Sequence, residues 1–261
     1  MYVKMHQQGF TLIELAVVMI IIGVLLGGFI NTLSSRIEQS QRAETREQLE
    51  DIKAALSGFA TANGYLPCPA TALSAGGESR TSSSCSQLNG FVPAKTLGLN
   101  GRYNGDNLLL DSWGNPFRYS VTGANSGAFT KLGQIKATGM NSLAPNLIIC
   151  NGKSSSATDC SGGATKLTDN AVFVVLSLGK DGSHFVGTPA PGSDEGENAG
   201  EATVSANTAG ENLAYTVGNN RVFVSRSYRS ANTTAGLFDD LIIWMSPYVF
   251  YSQMIAAGQL P

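Results

Sequence analysis

Residues 10–33 form an apolar run in which Glu14 is the sole charged residue. Such a run is long enough to cross a hydrocarbon core, which needs ~20 helical residues. The pattern then changes. Arg36, Glu38, Arg42, Glu44, Arg46, Glu47, Glu50, Asp51 and Lys53 are threaded by Leu49, Ile52, Leu56 and Phe59. These apolar positions recur at intervals of three and four, which lines them along one helix face. Gly64 and Pro67 are the stop signals. The pattern predicts one helix of roughly 54 residues and ~80 Å. Residues 10–33 are its membrane half and 34–63 its amphipathic half.

Residues 64–261 read as a globular head. A Ser/Gly-rich loop over 74–86 is followed by strand-like runs at 107–110, 117–121, 146–150, 171–177 and 221–225, separated by Gly, Asn and Ser. These runs predict an antiparallel sheet. Residues 237–244 read as a further short strand entered by Asp239 and Asp240. Ser246-Pro247 supplies an N-cap and first-turn proline for a last helix ending at Gly258. The predicted fold is α+β, a long N-terminal helix packed by its C-terminal half on an antiparallel sheet.

Composition narrows the function classes. The 261 residues carry a formal charge of −2, and no Lys/Arg cluster creates the electrostatic footprint of a general nucleic-acid binder. His6 and His184 are the only histidines. His184 lies in a Gly-rich loop with no Ser or Cys motif beside it, so an enzyme is not expected. Cys68, Cys85, Cys150 and Cys160 form an even set that reads as two disulfides, paired as neighbours, although four cysteines permit three connectivities. Zinc is the weaker alternative, because no CxxC pair is present.

The front of the chain carries a specific motif. Lys4, Gly9, Phe10, Thr11, Leu12, Ile13 and Glu14 resemble the class III leader of type IV pilins and type II secretion pseudopilins. The stretch 111–119, DSWGNPFRY, and the stretch 176–182, LSLGKDG, resemble two head signatures of the major pseudopilin of type II secretion. The head is longer than that subunit's, with insertions around 74–96, 122–144 and 187–212. The resemblance implies a leader, residues 1–9, removed by a prepilin peptidase after Gly9. It implies N-methylation of the new Phe10 amine. Glu14, which inside a bilayer helix costs at least ~2.5 kcal/mol, would pair with the Phe10 amine of a neighbouring subunit. The alternative for Glu14 is solvation at the membrane interface.

The implied protein is a single-pass subunit of the bacterial inner membrane with its head in the periplasm, a topology that Lys4 on the short side favours. Its partners would be the peptidase, other pilin or pseudopilin subunits and the inner-membrane assembly platform. Gly23 and Gly27, spaced as GxxxG, would allow close helix contact or be merely tolerated. A minor tip pilin that binds DNA, a surface or a secreted substrate is the alternative function. The family's major pseudopilins bind calcium in a C-terminal loop, which makes Asp181, Asp239 and Asp240 candidate ligands. The acidic stretch 181–201 lacks a D-x-D-x-D-G order, so a solvated loop is its first reading.

Overall fold

A computed structural model describes residues 11–154, 156, 158–180, 182, 194–199, 221–229 and 237–261. The predicted helix is present as α1, Leu12–Asn63. It starts at a capping box, in which the Thr11 hydroxyl accepts the Glu14 amide at 3.3 Å while a Glu14 carboxylate oxygen accepts the Thr11 amide at 3.1 Å. It stops at Gly64, whose φ of +78° carries the chain out of the helix while its amide still bonds the Ala60 carbonyl at 2.8 Å.

The chain forms two compact units, Met1–Ala43 and Glu44–Pro261. In the first, the apolar side chains of residues 12–24 are exposed, Leu12 at 92%. For Gly27 and Gly28 only the helical backbone is described. No helix among the described residues is long and apolar enough to cross a membrane. The run with described side chains stops at Val24, short of the ~20 residues a span requires.

In the second unit, α1 contributes Leu49, Ile52, Leu56 and Ala60 to the main core. Phe59, expected on that face, is only half-buried. It sits one position off the buried stripe, where the small Ala60 fits, and its ring meets Tyr65 edge-on at 5.6 Å.

The two larger sheets of the head begin with β1 (Asn89–Phe91), β2 (Arg118–Val121), β3 (Leu147–Cys150), β4 (Lys166–Ala171) and β5 (Phe173–Ser177). After these come α2 (Asp194–Ala199), β6 (Val222–Val224), β7 (Leu241–Trp244) and α3 (Pro247–Ala256). The main sheet has the order β7-β5-β2-β1 and is antiparallel throughout. The second sheet, β6-β3-β4, departs from expectation. Its β3/β4 pair is antiparallel with register shifts, but β6 pairs with β3 in parallel, Val222 opposite Ile148.

Expected strand bounds shorten where turns intervene. The run at 107–110 keeps only Leu109–Leu110, because Asn107 has a φ of +59°. The run at 237–244 becomes a strand only from Leu241. Ahead of it, Phe238 makes an isolated bridge to Arg229.

The cysteines pair as neighbours, Cys68 with Cys85 and Cys150 with Cys160. A polar clasp backs the first bridge. Glu78 accepts the Cys68 amide at 3.0 Å and the Arg80 guanidinium at 2.9 Å, and Arg80 reaches on to the Thr130 carbonyl at 2.7 Å. At the other end, α3 starts at Ser246 with Pro247 in its first turn. Gln259 beyond it donates to the Thr61 carbonyl of α1 at 3.1 Å, over a glycine whose absent Cβ leaves the room: one at Gly64 would lie 2.8 Å from the Gln259 side chain.

Candidate functional site

Among the described residues, the start of α1 and a buried polar network in the head carry chemistry beyond core packing. At the first, Glu14 is held by Thr11 twice, because its carboxylate also accepts the Thr11 hydroxyl at 3.0 Å. The carboxylate thus satisfies donors at a helix start that would otherwise lack partners. Gly9 and Phe10, expected to flank the cleavage point, lie outside the described residues.

The head network begins in the turn Asp111-Ser112-Trp113-Gly114-Asn115. One Asp111 oxygen accepts the amides of Trp113 at 3.0 Å and Asn115 at 2.8 Å. The other accepts the Ser177 hydroxyl at 2.5 Å. The Asn115 side chain donates to the Gly179 carbonyl at 2.6 Å. The two head signatures, separate in sequence, are therefore one hydrogen-bonded unit. The Ser112 amide contacts the Thr45 hydroxyl of α1 at 3.4 Å. Burial pushes the Asp111 carboxyl above its ordinary range, opposed by the Ser177 hydroxyl and the turn amides. Trp113 is partly buried against the core, whereas Tyr119 is fully buried and donates to the Pro67 carbonyl at 3.1 Å.

The unit leads directly to acidic residues. Gly179 has a φ of +66°, and a Cβ there would lie 2.0 Å from an Asp239 carboxylate oxygen. Only glycine lets that carboxylate in. The other Asp239 oxygen accepts the Lys180 amide at 3.0 Å. Glu195, Asp239 and Asp240 converge so that one oxygen of each lies within 4.8 Å of the others, and all three side chains are buried. Asp181, the third expected ligand, lies outside the described residues.

Glu195 was not among the expected ligands, and the solvated-loop reading fails for residues 194–199. They form α2, with Glu195, Glu197 and Asn198 buried. The physical reason is that its polar groups find partners. Glu195 accepts the Asp239 amide at 2.9 Å. Asn198 donates to Asp240 at 2.8 Å and to the Val224 carbonyl at 2.9 Å, and accepts the Val224 amide at 2.7 Å. Asp194 accepts the Lys153 amide at 2.7 Å and an Arg229 nitrogen at 3.1 Å, and also pairs with Arg226. Burial alone would raise the Asp194 carboxyl, but these donors hold it below its ordinary range. A sequence signal existed: Ser193 followed by Asp194, Glu195 and Glu197 is the composition of a helix first turn.

A long N-terminal helix whose C-terminal part packs into an antiparallel α+β head, behind a leader-type motif, defines a pilin-like filament subunit. Comparison with known proteins agrees with this class. Residues 4–30 match the prokaryotic N-terminal methylation motif, and residues 32–142 match the family of type II secretion system (T2SS) protein G. The type II secretion system core protein G of Pseudomonas aeruginosa is 29% identical over 120 residues, covering 46% of this chain and 78% of that protein. No solved structure matches the chain. The front of the chain and the segment that follows it are thus similar to those of type II secretion pseudopilins, a family of structural subunits.

Proposed function

We propose that the chain is a structural subunit of a type II secretion pseudopilus, cut after Gly9 by a prepilin peptidase and methylated on Phe10. It would wait in the bacterial inner membrane as a single-pass protein with its head in the periplasm. From there the assembly platform would add it to other pseudopilin subunits. The observation that carries this reading is α1 itself: the apolar side chains of residues 12–24 are exposed, and Leu49, Ile52, Leu56 and Ala60 of the same helix enter the core of the head. A surface that large and apolar is stable only against lipid or other helices. A structural role also accords with the Asp111 network, whose buried polar groups tie the two head signatures to each other. In a secreting host, Gly9→Val should block maturation, and mass spectrometry of the wild type should find Phe10 as the first residue. Normal processing of the variant, or a different mature terminus, overturns the reading.

We further propose that the head binds calcium through Asp239 and Asp240. The donor set fits a hard cation, which takes carboxylate oxygens, and Gly179 leaves the space that the Asp239 carboxylate occupies. Bound calcium would offset the charge of carboxylates that repel one another at such distances in a buried place.

A further inference from the structure

Residues 54–63 at the end of α1 carry no charge, and neither do residues 241–261. Parts of both stretches nevertheless face solvent. Ala54, Gly58 and Ala62 are exposed on α1, and on α3 Tyr248 is 78%, Val249 50% and Ile255 45% exposed. A solvent-facing helix side ordinarily carries charge, as α1 itself does one or two turns earlier at the exposed Glu47, Glu50 and Asp51. Between the two helices runs a groove of about 640 Å³, with Ala54 and Gly58 on the α1 side and Val249, Ala256 and Ala257 on the other. In a helix interior only proline is less favourable than glycine. Nothing in the described chain calls for a glycine at 58, because a Cβ there would meet no other part of it within 4 Å. The room it leaves opens outward. Glu50 and Lys53, the charges beside the groove, pair with each other at 3.7 Å, so covering the groove would leave neither without a partner.

An occupant of this groove must be apolar, and it must come from outside the chain. A matching surface exists on every copy: the apolar side chains of residues 12–24 are exposed, with Glu14 the only charge among them. We propose that the groove between α1 and α3 receives residues 12–24 of a second copy of this chain. Walls of Ala and Gly let a helix backbone come close, and docking takes apolar area on both partners out of water. Groove and segment are different surfaces, so the contact is heterologous. Where the rotation does not close a ring, such contacts repeat into an open helical filament, whereas groove-to-groove pairing would stop at a dimer. The inference rests on the filament-subunit reading above and adds to it the surface of the head that meets a neighbour. One wall of that surface, α3, lies beyond the residues 32–142 that match T2SS protein G.

The test expresses full-chain variants in the secreting host and compares membrane with sheared-filament fractions. Gly58→Ala and Gly58→Leu should both raise the unfolding midpoint of the purified subunit, by about 2–4 °C for a head of this size, because each removes a helix-interior glycine. Gly58→Leu should nevertheless fall at least ~10-fold in filaments, the loss expected when a docked helix meets an overfilled groove. A stabilised subunit that fails to assemble cannot be a misfolded one. Thr165→Leu, exposed outside the groove, should assemble like the wild type. For contact mapping, Gly58→Cys is co-expressed with Met19→Cys, Ile20→Cys, Ile21→Cys or Ile22→Cys in turn, successive positions that together face all sides of a helix. The native cysteines are all in disulfides, so a cross-link between the two variants reports the proposed contact, and at least one pair should give it. Wild-type filaments that take up Gly58→Leu undiminished, or that yield none of the four cross-links, overturn the inference and leave the structural-subunit reading standing. Cross-linking of Gly58→Cys only to itself also overturns it, by assigning the groove to a closed dimer. Equal exclusion of Thr165→Leu overturns it by showing that any added bulk blocks assembly. Absence of the wild type from filaments overturns both.

Discussion

The two ends of α1 spend similar residues in opposite ways. Residues 12–24 expose their Leu, Ile, Val and Met side chains, while Leu49, Ile52, Leu56 and Ala60 are buried to 1% exposure or less. Leu12 and Leu56 have the same transfer free energy, so burial is decided by what the rest of the chain offers each position. The head covers the later residues with β-strands and α3. At the earlier ones, cover must come from lipid or from other copies, which is why the polar exception there, Glu14, sits at the helix start where its charge has donors.

The comparison breaks most sharply if each half is disabled alone. Glu14→Leu should leave membrane insertion, cleavage and head stability unchanged, yet remove the subunit from sheared filaments. Quantitative immunoblotting of membrane and filament fractions measures this, and wild-type incorporation would show that the carboxylate is not used in assembly. Leu56→Ala should do the reverse. It opens a cavity in the core and should destabilise the head by roughly 2–5 kcal/mol, read by thermal or denaturant unfolding, with processing intact. Val17→Ala in the exposed half should not shift that transition.

Next in size are the disulfides, which act on the head only. They span 17 and 10 residues, so each loop closure is worth about 3 kcal/mol, slightly less for the shorter. Replacing Cys68 and Cys85 by Ala should lower the unfolding midpoint of the head. The polar clasp of Glu78 and Arg80 should keep the loop in its native trace, visible as unchanged exchange protection at Cys68. Loss of that protection would show that the covalent bond, not the clasp, holds the loop.

A smaller effect lies in the Asp111 network. Burial raises its folded carboxyl above the ordinary aspartate value, so between the ordinary and the folded value the native state binds more protons than the unfolded one. Stability from this group is therefore greatest in acid and declines as pH rises through that window. Asp111→Asn should flatten this segment of the stability-versus-pH curve relative to wild type. An unchanged slope would mean that the network's amides and the Ser177 hydroxyl fully compensate its burial.

The comparison also shows what a sequence can disclose. The helix was legible because the spacing of Leu49, Ile52 and Leu56 is local, and β5 was legible because a run buried on both faces is apolar throughout. Strand β1 was missed because Asn89-Gly90-Phe91 holds one apolar residue and is a strand only beside β2. Likewise β4, Lys166–Ala171, is largely polar and exposed and is stabilised by its pairing with β3. The parallel β6/β3 pair is set by tertiary packing that no local pattern encodes. At the site, Asp239 and Asp240 announced themselves as an acidic pair. Glu195 was hidden because its burial depends on partners distant in sequence, Asp239 and Val224 among them. Composition alone cannot distinguish such a helix from a solvated acidic loop.

The finest test concerns the capping box at the boundary of the exposed half. If Thr11 and Glu14 satisfy each other and the first-turn amides, then removing the hydroxyl should loosen that turn without touching the head. Caps of this kind contribute ~1 kcal/mol. Thr11→Val should therefore accelerate hydrogen exchange at residues 12–14 about fivefold in detergent micelles, the change in equilibrium that ~1 kcal/mol implies. Thr11→Ser retains the hydroxyl and should exchange like the wild type. The unfolding midpoint of residues 44–261 should be the same in all three proteins, because none of their buried contacts includes Thr11. Equal exchange in the Val and Ser variants would show that Glu14 needs no partner in its own chain. A shifted midpoint would show that the two halves of α1 are energetically coupled, and the contrast between them would lose its meaning.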